Sequence, residues 1–322
     1  MFHGSRQWIS AWKSAPVASW IKASALYEAG DFTHAIGLYK RGLEKYPHNP
    51  ARINAMLDLS HCLFRVRKFS ESEMYLKQIV AEAPDLREGY IRLARLQLWL
   101  GYGLDAIATT RVAVLRFGAD PELATIFINA ALDCGGTREH LAEAREIVGQ
   151  FHCDGGGFPR FEVATVRLAL AETGALEFRD RLSQLASLDK GPFDAVLAFA
   201  EVLLSEGKIN YARHHLRRAL SVAPEHPTVL RLLARTYLQQ TDVVFNPDYA
   251  RQLATSACQS TGWLSIRDLV ALAQSYIACG EQAEALLTAL KAKELSARFA
   301  GAIPEAARIE ELLQQGALEN AA

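Results

Sequence analysis

The sequence lacks several features that would place a protein at once in a class. No run approaches the roughly 20 consecutive apolar residues of a membrane span, and residues 1–22 lack the roughly 7–15-residue apolar core of a secretory signal. Cysteine is scarce, and no CxxC or Cys/His spacing occurs among Cys62, Cys134, Cys153, Cys258 and Cys279. These absences argue against a disulfide framework and a zinc site. They predict a cytoplasmic protein, or a periplasmic one if a signal segment precedes the given chain.

An excess of charge of one sign is also lacking. The chain has 35 Lys plus Arg and 36 Asp plus Glu, a balance that argues against a nucleic-acid binder. The two signs are unevenly distributed, because residues 1–120 hold 16 basic and 11 acidic side chains and the remainder holds 19 and 25. An acidic partner would therefore be attracted first to the N-terminal part.

Motifs for catalysis or cofactor binding are few. Gly155-Gly156-Gly157 lacks the GxxxxGK[ST] pattern of a phosphate loop, and His152-Cys153 has no third group beside it. The run "YARHHLRRAL" is predicted to form a solvated outer helix face, with a phosphate or nucleic-acid patch as the alternative. We therefore predict no catalytic residue, no metal site, no cofactor and no enzyme. An enzyme hidden in the irregular residues 135–190 is the alternative.

A repeated helical hairpin is the main signal that is present. Between Trp20 and Asn49 apolar residues recur at helical spacing, Gly30-Asp31 interrupts the pattern, and Pro47 ends it. Small residues return in the second helix of each hairpin at Ala35, Ser72, Ala106, Ala144, Ala212, Ala250 and Ala285. They mark places where two helix backbones approach closely. The double step from Ala144 to Ala212 indicates a degenerate unit around Phe178, where an aromatic replaces the small residue.

The residues that carry a family resemblance are clearest between Arg87 and Asp120. The signature positions of a 34-residue unit are occupied there by Tyr90, Leu93, Ala94, Gly101, Ala106, Ala113 and Gly118. The chain resembles the tetratricopeptide repeat (TPR) family. The resemblance implies an all-α fold, a right-handed superhelical solenoid of helix-turn-helix repeats. We expect a Trp-containing segment over 1–15, about eight repeats over 16–295 with irregularity at 135–190, and a capping helix and tail over 296–322.

The resemblance also implies a function. In the family the first helices line a concave groove that holds an extended peptide or a helix of a partner. Carrying the family's spacing onto this sequence selects Trp20, Tyr27, Asn54, His61, Phe64, Arg65, Arg92, Arg95, Trp99, Asn129, Arg231, Arg235 and Arg267. The same spacing adds Glu201 and Gln274. Arginine binds carboxylates, and aromatic rings supply rigid apolar area. We expect a non-enzymatic scaffold or adaptor that binds another protein, with an acidic segment favoured and nucleic acid excluded. For any single aromatic, packing within the array is an equal alternative.

The N-terminal segment has two interpretations. Trp8 and Trp12 stand one helical turn apart, so the segment is either a cap over the first hairpin or a docking element for a partner or a membrane surface. The second interpretation supports an alternative function, an auxiliary structural subunit of a larger, membrane-associated complex. The family's carboxylate clamp for chaperone peptides is not expected, because its positions carry Trp20, Ser24 and Asp58.

Overall fold

The computed structural model describes residues 18–150, 158–188, 191–239, 244–297 and 305–319, and in these ranges every regular element is an α-helix. The helices are α1 (Ala18–Glu28), α2 (Phe32–Lys45), α3 (Arg52–Arg65), α4 (Phe69–Glu82), α5 (Arg87–Leu100), α6 (Gly103–Phe117), α7 (Pro121–Asp133), α8 (Arg138–Gly149), α9 (Pro159–Thr173), α10 (Leu176–Ser187), α11 (Phe193–Ser205), α12 (Ile209–Val222), α13 (Pro227–Tyr237), α14 (Pro247–Ser260), α15 (Ile266–Ala278), α16 (Gln282–Ser296) and α17 (Ala306–Glu319).

The predicted all-α fold of helix-turn-helix repeats is confirmed. α1 packs on α2 and α3 on α4, and α7 to α16 pair in the same way, with α17 against α16. The chain forms two compact units, the first ending at Leu96 and the second beginning at Gln97. Trp8 and Trp12 lie outside the described residues. We call the odd-numbered helix of each hairpin its first helix.

One turn position recurs in the hairpins. Between the two helices the backbone takes a positive φ at Gly30 (81°), Gly101 (79°), Gly207 (71°) and Gly280 (79°). Glycine adopts this conformation without the clash that a Cβ would cause. Arg67 occupies the matching turn after α3 with a φ of 62°, a strain of about 1–2 kcal/mol for a residue with a side chain. The predicted Gly30-Asp31 turn therefore recurs in several hairpins of the array.

Small residues hold the helices of the first unit together. Ala23 of α1 and Ala35 of α2 are fully buried. The Ser72 hydroxyl of α4 donates to the Ser60 carbonyl oxygen of α3 at 2.8 Å. Because both serines are buried, a larger side chain at either place would separate the two helices.

In the second unit the first helices of consecutive hairpins contact one another from α7 to α15. Two long-range hydrogen bonds add to this packing. The Tyr102 hydroxyl donates to the Leu264 carbonyl oxygen at 2.8 Å, and Trp99 Nε1 donates to the Ser260 carbonyl oxygen at 3.4 Å. The end of α5 and the turn after it are thereby joined to the end of α14 and the segment before α15.

Arg213 of α12 corrects the expectation of a solvated outer face. It is only 4% exposed, and its Nη2 donates to the Thr236 carbonyl oxygen at 2.7 Å. The Arg217 guanidinium donates to the Tyr237 hydroxyl at 2.6 Å. These bonds join α12 to α13, while Arg217 and His214 of the same run are exposed.

Candidate functional site

Polar residues occupy matching positions on five first helices of the second unit. These residues, which we call the polar ladder, are Asn129 of α7, Arg167 of α9, Glu201 of α11, Arg235 of α13 and Gln274 of α15. Arg167 Nη1 donates to Asn129 Oδ1 at 2.7 Å, and Arg167 Nη2 donates to Glu201 Oε2 at 3.0 Å. Side chains therefore connect three successive hairpins along this face.

Two further arginines predicted to contact a partner are engaged within the second unit. Arg231 Nη1 lies 2.8 Å from Oδ1 of Asp268, which is fully buried and accepts a second bond from the Thr261 hydroxyl at 3.0 Å. Arg267 pairs with Asp133 at 3.3 Å and with Glu305 at 2.8 Å. Because these guanidinium groups are paired with carboxylates of the same unit, we no longer propose Arg231 and Arg267 as partner contacts.

Arg235 differs from both. In the described part of the chain its guanidinium makes no hydrogen bond and no ion pair, and the residue is exposed. Desolvation by the surrounding protein and the positive charge of Arg231 lower the pKa of Arg235, and the Glu201 carboxylate opposes this shift. Arg235 still carries its charge at neutral pH.

A cleft of about 460 Å³ lies beside the ladder. It is formed by the C-terminal part of α9, the first turns of α10 and the C-terminal half of α11. Its apolar wall includes Leu132, Leu170, Leu176, Leu182 and Val202, and its charged residues are Arg167, Arg179, Glu201 and Glu206. Leu176 is 73% exposed although it lines the cleft. Apolar side chains and a few oriented charges are the composition of a binding site.

The charges in the cleft are already paired. Arg179 Nη2 donates to Glu206 Oε2 at 3.0 Å, and Lys208 Nζ lies 2.8 Å from the same carboxylate oxygen. Hydrogen bonds from Arg179 and Lys208 lower the pKa of Glu206 to about 2. A group with this pKa is ionised at neutral pH and is a poor general acid or base.

In the first unit the predicted aromatic residues form a cluster. The rings of Tyr27 and His61 lie 5.2 Å apart, and the Tyr27 ring lies 5.8 Å from that of Phe32. The guanidinium of Arg65, which is exposed, stands 4.5 Å above the Phe32 ring. Phe64 meets the Phe69 ring edge-on at 5.3 Å. This cluster is compatible with a contact surface around Arg65.

The neighbouring polar residues of the first unit are more enclosed. Arg92 Nε lies 2.6 Å from Glu88 Oε1, and Arg92 Nη1 donates to the Leu57 carbonyl oxygen at 3.2 Å. Burial raises the pKa of Asp58 to about 6, and the Arg92 charge opposes this shift. A cavity of about 20 Å³ beside Arg92 is the size of one water molecule. Asn54 and Arg95 are half-buried.

The two predicted tryptophans of the array pack within their own units. Trp20 is fully buried, and its indole fills the space that a side chain at position 42 would need, so that position is Gly42. The Trp20 Nε1 donates to the Tyr39 carbonyl oxygen at 3.3 Å. The Trp99 ring lies 5.2 Å from the His226 ring. For both tryptophans the packing alternative fits the structure, and Trp20 leaves the set of proposed contacts.

Sequence reasoning missed Arg167 and the cleft. Arg167 precedes Glu201 by 34 residues, so the repeat length applied backwards from Glu201 would have found it. The degenerate unit around Phe178 has no pair of small residues that would fix its alignment with the other repeats. For this reason the alignment did not identify Arg167. The cleft has no sequence signal, because its volume depends on how α9 and α10 pack.

Comparisons with known proteins give similarity in solved structures only. No family model matches the chain, and no curated protein matches it. It is similar to a tetratricopeptide repeat protein from Parabacteroides merdae (13% identity, TM-score 0.40, covering 97% of this chain and 100% of that one). It is also similar to the TPR2AB domain of yeast Sti1 in a complex with pHSP90 (13%, 0.33, 93% and 97%).

A third similar structure is the APC/C hetero-tetramer Cut9-Hcn1 (12% identity, TM-score 0.48). The similarity covers 96% of this chain and 57% of the matched chain. With its consecutive helical hairpins, recurrent turn and buried small residues, the fold is TPR-like. No helix among the described residues is both long and apolar enough to cross a membrane.

Proposed function

We propose that this TPR-like protein is a non-enzymatic interaction scaffold that binds a segment of another protein along the first helices of its second unit. The cleft of about 460 Å³ between α9, α10 and α11 carries the proposal, because it combines an apolar wall with the polar ladder. An apolar side chain of the partner enters the cleft, and polar groups of its backbone meet the ladder. Burial of one large apolar side chain contributes about 1.5–3 kcal/mol.

The chemistry of the cleft supports binding over catalysis. Glu201 and Glu206 are each held by an arginine, and the low pKa of Glu206 removes it as a proton donor. Within the described residues, no group of three or more His, Cys, Asp or Glu side chains could hold a metal ion. These features favour a recognition surface in the region where an enzyme was the alternative.

The first unit offers a second, smaller surface around Tyr27, His61, Phe64 and Arg65, with Arg92 and Arg95 behind it. Arg65 is its exposed cation, stacked on Phe32. An acidic segment of a partner is the proposed ligand, in line with the basic excess of residues 1–120. The alternative of an auxiliary complex subunit rests on Trp8 and Trp12 and stays a prediction.

The test compares two exposed leucines of the second unit. Leu176 lines the cleft and is 73% exposed, while Leu115 of α6 is 81% exposed and does not line it. The tagged wild-type chain and its variants Leu176→Glu and Leu115→Glu are recovered from the native host, and co-purifying proteins are quantified by mass spectrometry. We expect Leu176→Glu to lose about tenfold or more of a specific partner, since a buried charge opposes apolar binding. Leu115→Glu should retain it at an unchanged melting temperature. Equal recovery by all three proteins would contradict the proposal.

A further inference from the structure

The arginines on the first-helix face of the second unit are not equivalent in their pairing. Arg167 is held by Glu201, Arg231 by Asp268, and Arg267 by Asp133 and Glu305. Arg235 alone among these four has no hydrogen bond or ion pair in the described part of the chain. One positive charge on this face therefore lacks a counter-ion.

Arg235 is exposed, and its protein neighbours act on its charge in opposite directions. Desolvation by nearby protein atoms and the positive charge of Arg231 lower the pKa of Arg235. The Glu201 carboxylate attracts it, but the same carboxylate already accepts a hydrogen bond from Arg167 at 3.0 Å. A planar guanidinium pairs best with a carboxylate through two parallel hydrogen bonds. An added carboxylate would supply the missing charge and both acceptors.

The cleft and Arg235 are neighbours along the array. Glu201 of α11 lines the cleft, and Arg235 is the next ladder residue, on the helix that packs against α11. Axes of packed helices are about 8–10 Å apart, and an extended chain advances about 3.3 Å per residue. A peptide that crosses from the cleft to Arg235 therefore needs about three residues.

The cleft itself gives a carboxylate little to bind. Its cations Arg167 and Arg179 already pair with Glu201 and Glu206. A partner carboxylate placed there would meet two glutamates, whereas one placed at Arg235 would meet a cation with open hydrogen-bond donors. The two ends of the surface thus select different side chains, an apolar one in the cleft and an acidic one at α13.

We propose that the partner is a linear peptide segment with an apolar side chain in the cleft and a carboxylate, about three residues away, bound to Arg235. This inference rests on the proposed function and specifies its ligand. The segment is extended, because an extended backbone covers the distance between neighbouring first helices in these few residues.

The test uses a phage-displayed library of random 12-residue peptides selected on the whole 322-residue chain. We expect the enriched peptides to share a large apolar residue and an Asp or Glu about three positions apart. The most enriched sequence is then synthesised and titrated by fluorescence anisotropy against wild type, Arg235→Gln, Arg235→Lys, Leu176→Glu and Arg41→Gln. Arg41 of α2 is the matched control, an exposed arginine of the other unit that belongs to neither proposed surface.

Arg235→Gln should weaken binding about tenfold or more, and Arg235→Lys should retain part of it, because lysine keeps the charge without the bidentate geometry. Arg41→Gln should stay within twofold of wild type. Replacing the acidic residue of the peptide by its amide should weaken binding to wild type. The same replacement should leave the affinity for Arg235→Gln unchanged, as a double-mutant cycle requires for a direct pair.

The outcomes separate the two proposals. Peptides that lose binding with Leu176→Glu but lack an acidic residue, or that bind Arg235→Gln as tightly as wild type, would overturn the Arg235 inference alone. Peptides that are insensitive to Leu176→Glu, or a selection that enriches none, would overturn the proposed cleft site itself.

Discussion

Two neighbouring hairpins of the second unit, α9/α10 and α11/α12, differ in the residues where their helices cross. In α11/α12 Ala200 and Ala212 are both fully buried. Val166 and Phe178 stand 34 residues earlier in α9/α10, and each is only partly buried. Valine and phenylalanine do not allow the close backbone approach that two alanines allow. The cleft lies at the hairpin with the larger residues, so the departure from the repeat coincides with the candidate site.

An ion pair between regular hairpins differs from one within α9/α10 as well. Arg231 of α13 and Asp268 of α15 form a buried pair, with side chains 15% and 0% exposed. The pair Arg181–Glu162 within α9/α10 leaves 49% and 27% exposed. A buried pair is costly to break because one charge stays without a partner, whereas an exposed pair contributes little. The pair Arg231–Asp268 therefore stabilises the fold more than the pair Arg181–Glu162 does.

The largest expected effect comes from breaking the buried pair. Arg231→Met leaves the Asp268 carboxylate buried with only the Thr261 hydroxyl as a bond to its side chain. We expect a loss of about 3–5 kcal/mol in the free energy of unfolding at neutral pH. Arg181→Met should change it by less than about 1 kcal/mol. Urea unfolding followed by circular dichroism measures both, and equal losses would remove the distinction between the two regions.

The helical hairpins could be predicted from the sequence because their cause is local. A small residue every 34–38 positions and a turn glycine report helix crossings directly. The environment of a single side chain depends on residues that are distant in sequence. Trp20 is buried because Gly42 leaves space for it, and Arg267 is paired because Asp133 lies opposite it. Neither fact follows from the phase of the repeat.

The candidate site was predictable only in part. Asn129, Glu201 and Arg235 follow from the repeat spacing, and the structure places them on three first helices of one unit, α7, α11 and α13. Arg167 was lost with the phase of the degenerate unit. That Arg235 lacks a counter-ion could not be foreseen, because the pairing of each arginine depends on which carboxylates reach it.

The residues before the first helices also differ between a regular hairpin, α13/α14, and the degenerate hairpin α9/α10, and this difference makes stability depend on pH. His226, before α13, lies between Trp99 and Phe193, with ring centres 5.2 and 5.1 Å away, whereas Phe158, before α9, is 52% exposed. Burial lowers the pKa of His226 to about 4, and the charges of Arg231 and Arg160 add to this shift. Below pH 6.5 the unfolded chain binds a proton that the folded His226 does not.

The stability that depends on His226 is therefore fully present above pH 6.5 and falls as the pH falls towards 4. We expect wild type to lose up to about 3 kcal/mol relative to His226→Phe across this interval. The substitution removes no helix cap, because the His226 side chain makes no capping bond. Urea unfolding of both proteins from pH 7.5 to 4 gives the difference, and parallel stability curves would contradict the prediction.

The smallest effect tests the helix crossings themselves. Ala212→Phe transfers the Phe178 arrangement to the regular hairpin, where Ala212 is fully buried and has no space for a ring. We expect overpacking to lower the free energy of unfolding by about 1–3 kcal/mol.

Phe178→Ala is the matched change in α9/α10 and removes a partly buried ring. Loss of a fully buried phenylalanine ring costs about 3–5 kcal/mol of stability, and we expect Phe178→Ala to cost less. Because Phe178→Ala also gives α10 room to approach α9, we expect the substitution to narrow the cleft. It should then weaken the binding of any peptide selected on wild type and leave the circular dichroism spectrum unchanged. Thermal melts and peptide titration of the two variants measure these effects. If Ala212→Phe melts like wild type, or if Phe178→Ala binds the selected peptide unchanged, the larger residues of α9/α10 are not what opens the cleft.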